Sequence, residues 1–240
     1  MMVWKQAYGL AYMEFRASLK YYLTILVLYT AVAGVALLSF DLYLDDSFAT
    51  FDFLFLLLFF MFPSWMKPKE FQMQKVNGDL WTVPALIMQQ HLPLSNNVLV
   101  KSRFILNLFF SLPYQIILLI ILYIVSSGFR EMMDPVSSLA FVVIWLSASF
   151  YIGLIMAASE AGGVFKVKNW FLSVGLLILA AIGVYAFVKI FLEAGLLNWT
   201  IDLAQQRPVL SAGISIVAAF IGWIYWQYDM HKSLKKTDYL

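Results

Sequence analysis

Two histidines, fourteen carboxylates and no cysteine are the stock from which this 240-residue chain could build a catalytic or metal centre. Without thiols, disulfides, thiolate catalysis and Cys-ligated zinc or iron–sulfur sites are excluded. Neither His91 nor His231 begins a His-Glu-x-x-His motif, so the paired imidazoles of a zinc protease helix are missing. No Gly-x-Ser-x-Gly turn presents a nucleophile, and no Gly-x-x-x-x-Gly-Lys-Ser/Thr loop cradles phosphates. The expectation is a chain that is not itself an enzyme, with no metal site and no cofactor of its own.

Few charges lie near the long apolar runs. Lys189 and Glu193 stand four apart on one helical face at the end of such a run, suited either to an ion pair anchoring the helix end or to lining an outer gate. Glu160 closes another run beside Gly162 and Gly163 and reads as a solvated helix end. The centres of the runs are free of charge, which argues against a proton or sodium antiporter.

The elements that carry these residues follow from hydropathy. Apolar residues make up 62% of the chain and charged residues 12%, with mean hydropathy +0.82. A soluble domain is about 45–50% apolar and about 25% charged, so this composition belongs to a membrane protein. A net charge of only +2 argues against a nucleic-acid partner. Segments 21–40, 50–66, 104–126, 137–158, 171–192 and 209–228 are each apolar enough, at roughly 20 residues, to cross the hydrocarbon. The first exceeds the core of a signal peptide and reads as a retained span. The residues left over cannot form a nucleotide-binding domain, so any ATP-driven motor is a separate polypeptide.

The fold class expected is all-α: a polytopic membrane protein with six transmembrane helices and an N-terminal interfacial amphipathic helix. Residues 1–240 form one transmembrane domain. Residues 1–20 are the interfacial helix, with Trp4, Tyr8, Ala11, Tyr12 and Phe15 on one stripe. Residues 21–66 hold spans one and two, 67–103 a long loop, 104–228 spans three to six and 229–240 a tail. On an even span count, thirteen basic residues fall on the side of the termini and the loop and three, Arg130, Lys189 and Arg207, fall opposite. The positive-inside rule then places both termini and the loop in the cytoplasm of a multi-pass cell-membrane protein. In the fourth span Ser149, Gly153, Ala157 and Ala161 recur every four residues, a surface on which another helix can pack closely.

The loop is where the sequence is most informative. Residues 70–75 read as a helical extension of the second span, stopped at Asn77-Gly78. A semi-apolar stretch, Leu80 to Gln90, follows. Leu92-Pro93-Leu94-Ser95 then breaks the chain, and Ser95 is placed to cap the helix entering the third span. Its own apolar faces suit the loop to contact rather than solvation.

An interfacial helix, six spans, and Leu92-Pro93-Leu94-Ser95 ahead of a basic helix with Lys101 and Arg103 resemble the type-2 ABC transporter permeases, especially small bacterial exporter subunits. Asn96-Asn97 stand where that family often has a basic pair. The resemblance implies a second permease copy or homologue as partner and an ABC ATPase subunit holding ATP and Mg. It also implies Met88, Gln89, Gln90, Leu92, Pro93 and Ser95 as the ATPase-coupling contact. In that family the outer connection corresponding to residues 195–208 often forms short helices. A cavity rich in Phe and Met would suit an amphipathic or apolar cargo, a peptide or lipid, better than hydrated ions. The alternative is a non-transport membrane immunity or assembly factor that sequesters a peptide.

Overall fold

The computed structural model describes residues 2–77, 80–164, 183, 186 and 195–236. These are mostly helical. Helix α1 (Met2–Ala17) turns at Ser18 into α2 (Leu19–Leu37), and the short α3 (Phe40–Asp45) follows. Beyond it a continuous helical segment runs from α4 (Ala49–Leu56) through a widened π turn (Leu57–Met61) into α5 (Phe62–Trp65). A π turn loosens the normal ladder. Here the Leu58 carbonyl accepts the Tyr29 hydroxyl at 3.2 Å, and the Phe59 carbonyl accepts Gln115 Nε2 at 3.5 Å.

Where a helical extension of this segment is expected over 70–75, the structure has a 3₁₀ turn (Lys69–Phe71) and then strand β1 (Gln74–Asn77). Pro68 is the reason: it lacks an N–H and disfavours helical geometry at Lys67, so the helix stops before it. β1 pairs antiparallel with β2 (Leu80–Thr82), Lys75 opposite Trp81. Asn-Gly at 77–78 is as strong a hairpin signal as it is a helix stop. β2 pairs in turn with β3 (Gly163–Val164), giving a small sheet beside the helices.

Helix α6 (Pro84–Gln90) leads to α7 (Asn96–Val125), then α8 (Ser127–Met132) and α9 (Pro135–Ser159). Ser95 occupies the N-cap position of α7, but its side chain makes no capping bond. Its carbonyl accepts Val98 N–H at 2.9 Å and Leu99 N–H at 3.2 Å instead. The expected hydroxyl cap is therefore absent. Asp134 does cap α9, accepting Ser137 N–H at 3.0 Å. Gly162, at φ 69°, turns the chain from α9 into β3, where a Cβ would strike the Trp81 carbonyl. Helix α10 (Leu196–Gln206) follows Gly195, and α11 (Pro208–Lys236) closes the described chain.

Among the described residues four helices are long and apolar enough to cross a membrane: α2, α7, α9 and α11. The second expected span corresponds to Ala49–Trp65, a shorter apolar helix. The fifth, 171–192, lies outside the described residues apart from Gly183 and Ala186, and Lys189 and Glu193 lie outside them too.

Two apolar cores tie the helices together. The larger is aromatic, with Tyr29, Phe40, Tyr43, Phe55, Phe59 and Phe110 fully buried. The smaller joins Val83 and Leu86 of the loop to Phe104, Leu154, Met230 and Leu234.

Candidate functional site

The small core sits against a buried ionic cluster at the end of the bundle that also carries the sheet. Arg103, two turns into α7, is fully buried. Its Nη2 donates to both oxygens of Glu14 on α1, at 2.7 and 2.8 Å, and to Gln89 Oε1 on α6. Gln89 Nε2 donates back to Glu14. The amide thus bridges the ion pair and ties α6 to both helices.

Beside it Lys67 Nζ donates to Glu160 Oε1 at 3.1 Å and to Asn107 Oδ1 at 2.9 Å. Thr82 Oγ1 donates to the Glu160 carbonyl at 3.0 Å, joining the sheet to the end of α9. The second oxygen of Glu160 lies 4.0 Å from Arg103 Nη1. Two carboxylates and two cations sum to zero, which is how four charges can be buried together.

Burial pushes the Glu14 carboxyl above its ordinary value, outweighing the Arg103 guanidinium beside it. A cavity of about 480 Å³ opens beside the cluster, lined by Ser64, Trp65, Lys67, Gln72, Met156 and Glu160.

Glu160 is therefore not a solvated helix end. It is buried and paired because Lys67 reaches it from a segment ninety-three residues earlier. Lys67 and Arg103, counted among the expected basic flanks, are each paired with a carboxylate in the cluster.

The expected coupling residues divide into two sets. Gln89 points inward and is buried, and Gln90 is half-buried. Met88 and Leu92 are 73% and 50% exposed, and Pro93 and Ser95 are also exposed. Trp81 and Val76 of the hairpin are exposed too, so apolar side chains face outward from both the sheet and α6.

In the α9 stripe Ser149, Ala157 and Ala161 are buried, and a Cβ on Gly153 would lie 2.6 Å from Asn107 Nδ2. On α1 the buried positions are Ala7 and Ala11, which continue to Glu14 on the same face. Trp4, Tyr8 and Tyr12 are roughly half exposed. The small side chains let α1 approach α7, and Trp4 flanks the contact by stacking on Trp223 under Lys101 Nζ.

The opposite end of the bundle is built on Asp52. Fully buried, it accepts the Tyr43 hydroxyl at 2.7 Å and the N–H groups of Leu196 and Leu197 at 3.0 and 3.1 Å. It thereby caps α10 from a distant part of the chain. Burial and the Asp52 carboxylate raise the Tyr43 phenol above its ordinary value. Nearby, Asp41 accepts the Ser126 hydroxyl, which holds its carboxyl below the ordinary value.

Sequence reasoning missed the ionic cluster. The signal was present: Ala7, Ala11, Glu14 and Ser18, at spacings of four, three and four, put an acid on a small-residue face that must pack. Among the described residues no group of three or more acidic or histidine side chains could hold a metal ion. No protein-family model, curated protein or solved structure matches this chain.

Proposed function

We propose that the chain is the transmembrane permease subunit of an ATP-driven ABC exporter, powered by a separate ATPase and paired with a second permease. The observation that carries this reading is the two-faced α6. Its inner face, Leu86 and Gln89, is locked into α1, α7, α9 and α11, and its outer face presents Met88 together with nearby Leu92. A motor that pushes on such an outer face moves the spans behind it, which is what a chain with no ATPase of its own requires.

Six spans with an interfacial α1 accommodate the described geometry. Helix α7 is about 45 Å long at about 1.5 Å per residue, against about 30 Å of hydrocarbon, so several turns stand beyond the bilayer. Its basic first turns are the part expected outside, with both termini cytoplasmic. Ala49–Trp65, about 26 Å long, makes a short second span. Gly163 lies with the sheet and Gly195 beside Asp52 at the far end, as a fifth crossing between them would require. An apolar groove of about 250 Å³ lined by Ile116, Ile120, Phe141 and Leu146 suits the acyl chain or apolar side chains of an amphipathic cargo.

The test is co-expression with an ATPase encoded beside this chain. Stable co-purification and ATP-dependent release of a lipid or peptide from vesicles are expected. No association with any such ATPase would sink the permease reading, and protection against a peptide without ATP would favour the immunity alternative.

A further inference from the structure

The ionic cluster is unevenly bonded. All of Arg103's hydrogen bonds leave from Nη2, while Nε and Nη1 meet no hydrogen-bond partner among the described residues. Glu160 Oε2, also buried, makes no hydrogen bond among the described residues either, and it faces Nη1 across 4.0 Å. A guanidinium is a planar fork that pairs best with a carboxylate through two nitrogens. Arg103 spends Nη2 on Glu14 and Gln89 and leaves Nη1 toward a second carboxylate.

We propose that Arg103 is a two-position switch: as seen, it holds α6 through Gln89 and Glu14, and in its second position the guanidinium moves away from them so that Nη1 pairs with Glu160 and α6 is released. A shift of about 1 Å brings Nη1 from 4.0 Å to the distance of a charge-assisted hydrogen bond. The charges facing Arg103 are Glu14 from α1, Glu160 from the end of α9 and, through Glu160, Lys67. Moving to Glu160 weakens the Lys67 bond, so Lys67 rests on Asn107. Each position satisfies a different set of buried atoms, which makes the cluster bistable rather than loose. That the release of α6 serves as the coupling stroke rests on the permease reading; the exchange of partners is a property of the isolated chain.

Hydrogen–deuterium exchange over residues 84–90 of the purified protein in lipid nanodiscs tests it. Glu160→Gln keeps every hydrogen bond that Arg103 makes in the observed position and removes the anion of the second. Exchange in α6 should therefore slow by about tenfold, the factor of one charge-assisted hydrogen bond. A purely structural Glu160 predicts unchanged or faster exchange, and either result overturns the switch. Should the single variant fold poorly because a positive charge is left over, the neutral pair Lys67→Gln with Glu160→Gln gives the same reading. Glu14→Gln should speed exchange in α6, and no change there would also overturn it. No ATPase enters the measurement, so its failure leaves the permease reading standing, and the failure of that reading leaves the switch standing.

Discussion

The carboxylate of Asp52 accepts the backbone N–H of Leu197, 145 positions later in the chain, at 3.1 Å. Gly195 precedes α10 and carries no side chain with which to cap it, and its missing Cβ makes room for Tyr43 and Asp52. An anion at a helix N-terminus is favoured by the free N–H groups and the helix dipole. Asp52→Ala strips the acceptor from one buried and one partly buried N–H group and should cost about 1–3 kcal/mol. Asp52→Asn keeps one acceptor oxygen and should cost less. Thermal midpoints of the two variants in detergent check the order; equal midpoints would contradict the cap.

Gly153→Leu should damage the bundle through Asn107, since the new side chain occupies the space of an amide that also holds Lys67. Overpacking of this kind costs about 1–3 kcal/mol, and loss of the Lys67 acceptor adds to it. Leu139→Phe, on an exposed face of the same helix, should be tolerated. The yield of monodisperse protein compares them, and equal yields would show that the stripe does not pack.

For the proposed coupling face, Leu92→Asp should leave expression and the size-exclusion profile intact, because Leu92 is half exposed. It should abolish ATPase association by placing a charge in a contact that must exclude water. Gln89→Ala should instead destabilise the chain alone. Should Leu92→Asp keep both ATPase binding and export, α6 and the turn after it are not the docking face.

Folding raises Glu14 above its ordinary 4.5, so between the two values the folded state binds the proton more tightly. Its contribution to stability is therefore full below about 4.5 and is lost as pH rises through the folded value. The stability of the native chain relative to Glu14→Gln should fall over that window. Denaturation of both at several pH values reads the difference, and a rise with pH would mean that Arg103, not burial, sets the sign.

The thirteen-to-three split of basic residues on a six-span count predicts that α6 faces the cytoplasm. Met88→Cys supplies a single thiol in a chain with none. An impermeant maleimide should label it only after the cells are opened. Labelling of intact cells would reverse the topology.

Long-period hydropathy made α2, α7, α9 and α11 legible, because a helix that meets lipid must be apolar around most of its surface. The break at Leu92 to Ser95 was legible for a local reason, Pro93 coming after the polar Gln89-Gln90-His91 that ends the semi-apolar stretch. The hairpin was not, since Asn77-Gly78 serves equally as helix stop and as turn, and only pairing with Gly163 and Val164 makes an edge for β2 to join.

Composition and spacing determine that this chain is built on long apolar helices, has no cysteine chemistry, and keeps its basic residues to the flanks of the apolar runs. They are properties of single segments in a solvent, and each segment declares them alone. The tertiary structure decides which charges are bare and which are spent. Glu14, Lys67, Arg103 and Glu160 look like ordinary flank charges in sequence because each is flanked by polar or interfacial neighbours. Their meeting depends on α1, the segment ending at Lys67, α7 and α9 arriving at one point. A buried charge is stable only with its partner in place, and that partner stands 89 residues away for Glu14 and 93 for Lys67, beyond the reach of any local pattern.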